Sequence, residues 1–256
     1  MPDPKAEAYR SASAQVAAAA AILSAQALPV LVKPGDVSSF DAWVSRVLPV
    51  VLRAAQRNSE VSRRFYEILR DDEDFHTTMP AWQPVIPEPE RVRSSLYATA
   101  GQEFQDIETF DLKRAQTAAR GAVIRHTMNA GRDSVIATAT ADPEAIGCLY
   151  ITRGDARVCY WCSMLASRGP QFKGNSFADS DMQFEGAGSA KVHDHCRCVL
   201  VPVKSVGGSE RAQASRDLFE EWKAVNYENG RIKHSGKDAV RAWRRYWAEK
   251  QKSAII

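Results

Sequence analysis

Apolar residues recur at three- and four-residue intervals through much of the first 140 positions. Phe40, Val44, Val47 and Val51 form one such series, and Val61, Phe65 and Leu69 form another; this spacing places each set on one face of an α-helix. Ser38 or Ser39 is expected to cap the first helix and Asn58 the second, with Pro49 kinking or dividing the first. The stretch "MPAWQPVIPEPE" carries Pro80, Pro84, Pro87 and Pro89. Each lacks an amide donor, so the segment is expected to run as an extended connector. Two further helices are predicted at 88–105 and 111–138. In the second, His126 follows Val123 on the same face and reads as a hydrogen-bonded helix residue rather than a ligand.

The pattern changes at Cys148. "CLYIT" predicts a strand, "RGDAR" a turn, "CYWCSMLA" a knuckle opening a short helix, and "CVLVPV" a second buried strand. Helices are then expected at 210–225 and 237–250. The fold class is therefore α+β: a mainly helical N-terminal half, a small β-containing Cys/His module and C-terminal helices. Along the chain this gives a helical region at 1–79, a proline-rich connector at 80–90, a helical region at 91–146, the Cys/His module at 147–208 and the terminal helices at 209–256.

"AQVAAAAAILSAQALPVLV" near the N-terminus is apolar for nearly the length of a membrane span, but alanine drives insertion weakly, and Ser24, Gln26 and Pro29 interrupt it. It predicts a soluble or partner-packed helix, with no membrane role. Asp3 and Glu7 stand where a secretory leader carries positive charge. The expected compartment is then cytoplasmic, where paired thiols more often bind metal or do chemistry than form disulfides. The composition, 45% hydrophobic and 25% charged, is that of an ordinary globular protein, and a formal charge of +3 does not by itself identify a nucleic-acid binder.

Four of the five cysteines and two of the five histidines fall within forty positions. Zinc takes four tetrahedral ligands, and a Cys-x-x-Cys turn brings two thiolates to one ion. Cys159 and Cys162 have that spacing. Cys196 and Cys198 offer a second pair, and His193 or His195 can replace a thiolate, so six residues compete for four positions of a structural zinc. The alternatives are a vestigial or disulfide-linked cluster and a catalytic thiol with a histidine base. Asp194 and Glu185 lie near enough in sequence to serve a catalytic zinc, though nothing requires it. Cys148, in an apolar run, reads as a buried small hydrophobe. Arg197, between two thiols, reads as a surface residue or a balance for thiolate charge, or else as an anchor for an acidic partner. No catalytic residue can be named.

"GDARVCYWCSMLA", the glycine-rich stretch after it and "HDHCRCVLVPV" resemble the C-terminal module of the phage Mu F-like head morphogenesis and minor capsid proteins, including those of actinobacteriophages. The resemblance covers residues 147–203 and carries its pattern onto Asp155, Cys159, Cys162, His193, Cys196, Arg197 and Cys198. It departs at Asp194, where the pattern has proline. It implies a minor capsid or head morphogenesis protein that acts with portal, scaffold and major capsid protein. Such a protein sits in the virion, in the capsid interior or at the portal vertex, and in the host cytoplasm during assembly. Two alternatives accompany it: a capsid maturation protease that cuts capsid or scaffold protein, and a non-specific DNA-binding protein of the virion interior.

The terminal helix "KDAVRAWRRYWAEKQK" sets Val240, Trp243 and Trp247 in one apolar stripe, expected to pack on the core or on a partner helix. Arg241, Arg244, Arg245 and Lys250, with Lys252, make much of the rest positive. That face is either solvated or placed to touch packaged DNA or a partner protein.

Overall fold

The computed structural model describes residues 4–72, 74–104, 108, 110–152, 158–170, 196–204 and 210–253. Three long helices form a body: α1 (Pro4–Leu31), α2 (Val37–Asp72) and α4 (Leu112–Ala141), with the shorter α3 (Pro89–Thr99) and a 3-10 turn at Gly101–Phe104 between the last two. Small residues decide how closely the long helices approach. Ala17, Ala20, Ala21 and Ala25 bury one face of α1, and Ala115, Ala119 and Ala122 do the same for α4. The backbones come near enough for side-chain to backbone bonds between helices. Trp43 donates to the Ser24 carbonyl at 3.0 Å, Gln116 to the Ala25 carbonyl at 3.1 Å and Asn58 to the Thr127 carbonyl at 2.9 Å. Where α4 passes α2, a β-carbon on Gly131 would lie 2.5 Å from Ser62 Oγ, so any larger residue would have to displace a neighbouring side chain.

Two helix starts differ from the sequence expectation. The cap of α2 is Asp36, whose carboxylate accepts from the amides of Ser38 (3.0 Å) and Ser39 (3.3 Å); the serines lie one and two residues inside the helix. Asn58 caps nothing, because α2 runs unbroken through Pro49 to Asp72, and tertiary burial of its face outweighs the local penalty of an internal proline. Asp111 caps α4 as its position suggests, accepting from the amides of Lys113 and Arg114. The helix expected at 88–105 ends as α-helix at Thr99.

The N-terminal helix α1 is long and apolar enough to cross a membrane by length and composition, yet its alanine face and Leu28 pack into the body core. Ile22 and Leu23 point outward.

Residues 80–88 form no regular element and lie along the body. Gln83 and Val85 donate their amides to Thr138 Oγ1 (3.1 Å) and Ser134 Oγ (2.9 Å), and Trp82 donates to Ser59 Oγ at 3.1 Å. Pro89 then opens α3, where a missing amide costs nothing.

Beyond α4, β1 (Gly147–Ile151) pairs antiparallel with β2 (Val199–Val203), Leu149 opposite Val201. Pro202 is tolerated because a two-stranded sheet consists only of edges. Between them in sequence is α5 (Tyr160–Ala166), and after them come α6 (Glu210–Asn226) and α7 (Gly236–Ser253). A hairpin of β3 (Tyr227–Glu228) and β4 (Arg231–Ile232) joins α6 to α7. It turns at Asn229-Gly230, both with positive φ, the signature of a two-residue hairpin turn. That dipeptide was visible in the sequence, but each strand is too short to show alternation.

A buried ion pair joins the end of α4 to the end of α2. Arg70 Nε lies 2.7 Å from Asp142 Oδ2, Tyr66 donates to the same oxygen at 3.0 Å, and Arg70 also donates to the Thr77 carbonyl at 2.9 Å. Next to it, Glu144 accepts from the amides of His76 and Thr77 and pairs with Lys204 at 2.8 Å. Its carboxyl is held down at about 2, chiefly by Lys204 and then Thr77. These contacts tie the strands to the helical body.

Candidate metal centre

Cys159 is the N-cap of α5, its sulfur accepting from the Cys162 amide at 3.3 Å. Cys162 sits in the first turn and faces Cys196 and Cys198. The last helix fixes this knuckle from outside. Trp243 Nε1 donates to the Tyr160 carbonyl (2.9 Å) and lies 3.1 Å from Ser163 Oγ, while Trp247 Nε1 and Gln251 Nε2 both donate to the Val158 carbonyl. Ser215 of α6 donates to the Ala166 carbonyl at the far end of α5. The apolar stripe of α7 is thus used within the chain, and both indoles are buried.

The second thiol pair immediately precedes β2. The sulfurs of Cys162, Cys196 and Cys198 lie within 4.8 Å of one another, all buried, with Cys162 Sγ 3.5 Å from Cys196 Sγ. A tetrahedral zinc with bonds of ~2.3 Å would separate its sulfurs by about 3.8 Å, so the spacing suits a thiophilic divalent ion. None of the five cysteines is in a disulfide, and a 3.5 Å separation is far beyond one. Cys159, half-buried, touches the cluster through Cys162. His193 and His195 lie outside the described residues, as do Asp155, Asp194 and Glu185. Cys148 is fully buried on β1, as expected of a small apolar residue.

A buried charge beside the thiols comes from a residue the sequence did not single out. Arg132 of α4, 1% exposed, donates to the Cys198 carbonyl at 2.8 Å and to Asn129 Oδ1, and its Nη1 lies 3.7 Å from Cys196 Sγ. Contacts from Cys162 and Cys198, with Arg132 adding to them, hold the Cys196 thiol well below its usual range. Cys162 is pushed up, first by Cys159 and then by Cys196. Tyr150, whose hydroxyl is 3.5 Å from Cys196 Sγ, is raised by burial and by that sulfur. Cys196 Sγ is thus the thiol sulfur placed against the guanidinium. Arg197, read as a surface residue, a balance for thiolate charge or an anchor for an acidic partner, is half-buried. The advance signal for Arg132 was an arginine at helical spacing from Met128 and Val135, on a face that is otherwise largely apolar.

A second concavity of about 680 Å³ opens between α3, α4 and the connector, lined by Val85, Ile86, Arg91, Ser95, Arg125 and His126 among others. His126 was expected to be hydrogen-bonded, but its buried Nε2 has no partner among the described residues. Burial, then Arg125 and Arg91, lower its pKa to about 4, so the ring is neutral at neutral pH.

The basic residues of α7 are partly engaged. Lys250 pairs with Glu221 at 2.6 Å, Arg241 with Asp238 at 3.2 Å, and Arg244 lies over the Tyr160 ring at 5.3 Å; Arg245 is exposed.

The described residues thus combine a helical body, a small antiparallel sheet and a buried cluster of three thiols. Comparison with known proteins makes the assignment specific. The profile of the VG15 protein family matches residues 1–225, and the chain belongs to that family. It is similar to the Gene 15 protein of Mycobacterium phage D29, 26% identical in a match covering 70% of this chain and 75% of that protein. This is a family of phage proteins. No solved structure matches. The family match includes the thiol cluster and nearly all of α6, and α7 lies beyond it.

Proposed function

We propose that the chain is a minor capsid or head morphogenesis protein, incorporated into the phage particle and acting with portal, scaffold and major capsid protein during assembly. What carries this reading is a cysteine module of Mu F-like pattern embedded in a chain of a phage protein family. The thiol cluster is a structural zinc site, drawn from Cys159, Cys162, His193, His195, Cys196 and Cys198, that fixes the strands to the knuckle. Burial of Cys162, Cys196 and Cys198 supports holding over attack, since a nucleophilic thiol needs access to its substrate. This favours assembly over a maturation protease. Engagement of Lys250 and Arg241 with acids favours a protein surface over DNA phosphates as the neighbour of α7.

The test is quantitative mass spectrometry of purified particles, with assembly scored in a phage that lacks the gene. A fixed number of copies per particle, and loss of mature heads without the gene, is expected. Absence from particles would overturn the reading. Specific cleavage of co-expressed capsid protein, abolished by a folded point variant, would replace it with the protease.

A further inference from the structure

Arg132 carries a permanent charge and is buried against the thiol cluster. Its hydrogen bonds go to a carbonyl, to the amide oxygen of Asn129 and to Cys196 sulfur. None of these is a carboxylate, Asp133 acts on it less strongly than Cys196 and Cys198, and its Nε makes no hydrogen bond among the described residues. A buried cation with only neutral partners is costly, and removing its counter-charge more so. The negative charge it faces can come only from sulfur among these contacts.

We infer that Arg132 is the counter-charge of a three-thiolate metal centre formed by Cys162, Cys196 and Cys198, an inference that rests on the metal reading above. Three thiolates around a divalent ion leave one negative charge, and the guanidinium neutralises it. A fourth thiolate would leave a buried negative charge uncompensated. Cys159 therefore serves as the cap of α5, through the amide bond its sulfur already accepts, and the remaining coordination position takes a neutral donor. Each ligating thiol gives its proton to solvent as its bond to the ion forms. Arg132 orients and balances the ligands without touching the ion, as groups around metal sites commonly do.

The probe is cobalt(II), added to the full reduced chain without oxygen, with the sulfur-to-cobalt charge-transfer absorption as readout and a melting curve for every variant. The parent chain should show this band. Cys162→Ser, Cys196→Ser and Cys198→Ser should each abolish or greatly weaken it. Cys159→Ser should keep it with affinity within about threefold, because serine is itself a good cap. Arg132→Gln should weaken cobalt binding roughly 10- to 100-fold, the range for lost supporting groups, and Arg132→Lys should recover part of the loss. Should Arg132→Gln fail to fold, Asn129→Asp sets a carboxylate beside the guanidinium, competes for its charge and should weaken binding in the same direction. No band in the folded parent would sink the metal reading itself. A parent band with affinity unchanged in folded Arg132→Gln or Asn129→Asp would overturn the counter-charge role alone. Loss of the band in folded Cys159→Ser would overturn the three-thiolate composition.

Discussion

The molecule contains two cores built on opposite plans. In the helical body, alanines of α1 and α4 meet valines and aromatics of α2, so many small contacts and interhelical hydrogen bonds share the load. Around the cysteines, a seven-residue helix and two five-residue strands gather large groups: Trp243, Trp247, Tyr150, Met164 and Leu200, beside the thiols. The body can spread damage over long helices. The module has short elements that no local propensity sustains, since isolated helices of this length are unstable in water, and it relies on a few rings and polar anchors.

The sharpest break of that contrast is Trp243→Ala. It empties the space of a fully buried indole and removes the donor to the Tyr160 carbonyl. A loss of ~3–5 kcal/mol is expected. It should fall on the module: reaction of the cysteines with a thiol reagent should accelerate while far-ultraviolet dichroism keeps most of its helical signal. Simultaneous loss of both signals would mean that the two cores melt as one.

The body should reveal itself through pH. His126 has a folded pKa of about 4 against an ordinary value of 6.5, so between these values the unfolded chain binds more protons than the folded one. Stability should then rise with pH across that window and fall as the solution is acidified from about 6.5 towards 4, by up to roughly 3 kcal/mol. His126→Leu should flatten this part of the profile in urea titrations across the window. An unaltered slope would show that other groups set it.

Close packing in the body is tested by Gly131→Ala. The added carbon would meet Ser62 Oγ at 2.5 Å and Asn58 Nδ2 at 2.7 Å. One of these must move, losing Asn58's bond to α4 or parting the helices, and a destabilisation of ~1–3 kcal/mol is expected in a melting curve. The smallest effect belongs to Arg245→Glu on the exposed face of α7, within about 0.5 kcal/mol of parent stability. A large stability loss there would mean that the face is not free.

The helical body was legible because its burial is periodic. The face of α2 from Phe40 to Val51 and the Asp111 start of α4 follow from spacing and local capping chemistry. Even so, the sequence misplaced the α2 cap and divided the helix at Asn58. Asn is an excellent cap when nothing else competes, whereas here it reaches across to the Thr127 carbonyl. The strands and the knuckle were also readable, since thiol pairs, turn residues and apolar runs mark them directly.

Local chemistry thus determined the helices, the two strands and the positions of the paired thiols, each specified by residues a few places apart. Proximity across the fold decided the rest. Nothing between Asn129 and Asp133 announces that Arg132 will meet Cys196 and Cys198, more than sixty residues on, or that Trp243 will hold the carbonyl of Tyr160. In sequence Arg197, adjacent to both thiols, was one candidate to balance their charge. In the folded chain Arg132 also reaches them, because the packing of α4 against the strands buries its guanidinium beside Cys196 Sγ and the Cys198 carbonyl, and a buried charge interacts most strongly with the nearest group able to oppose it.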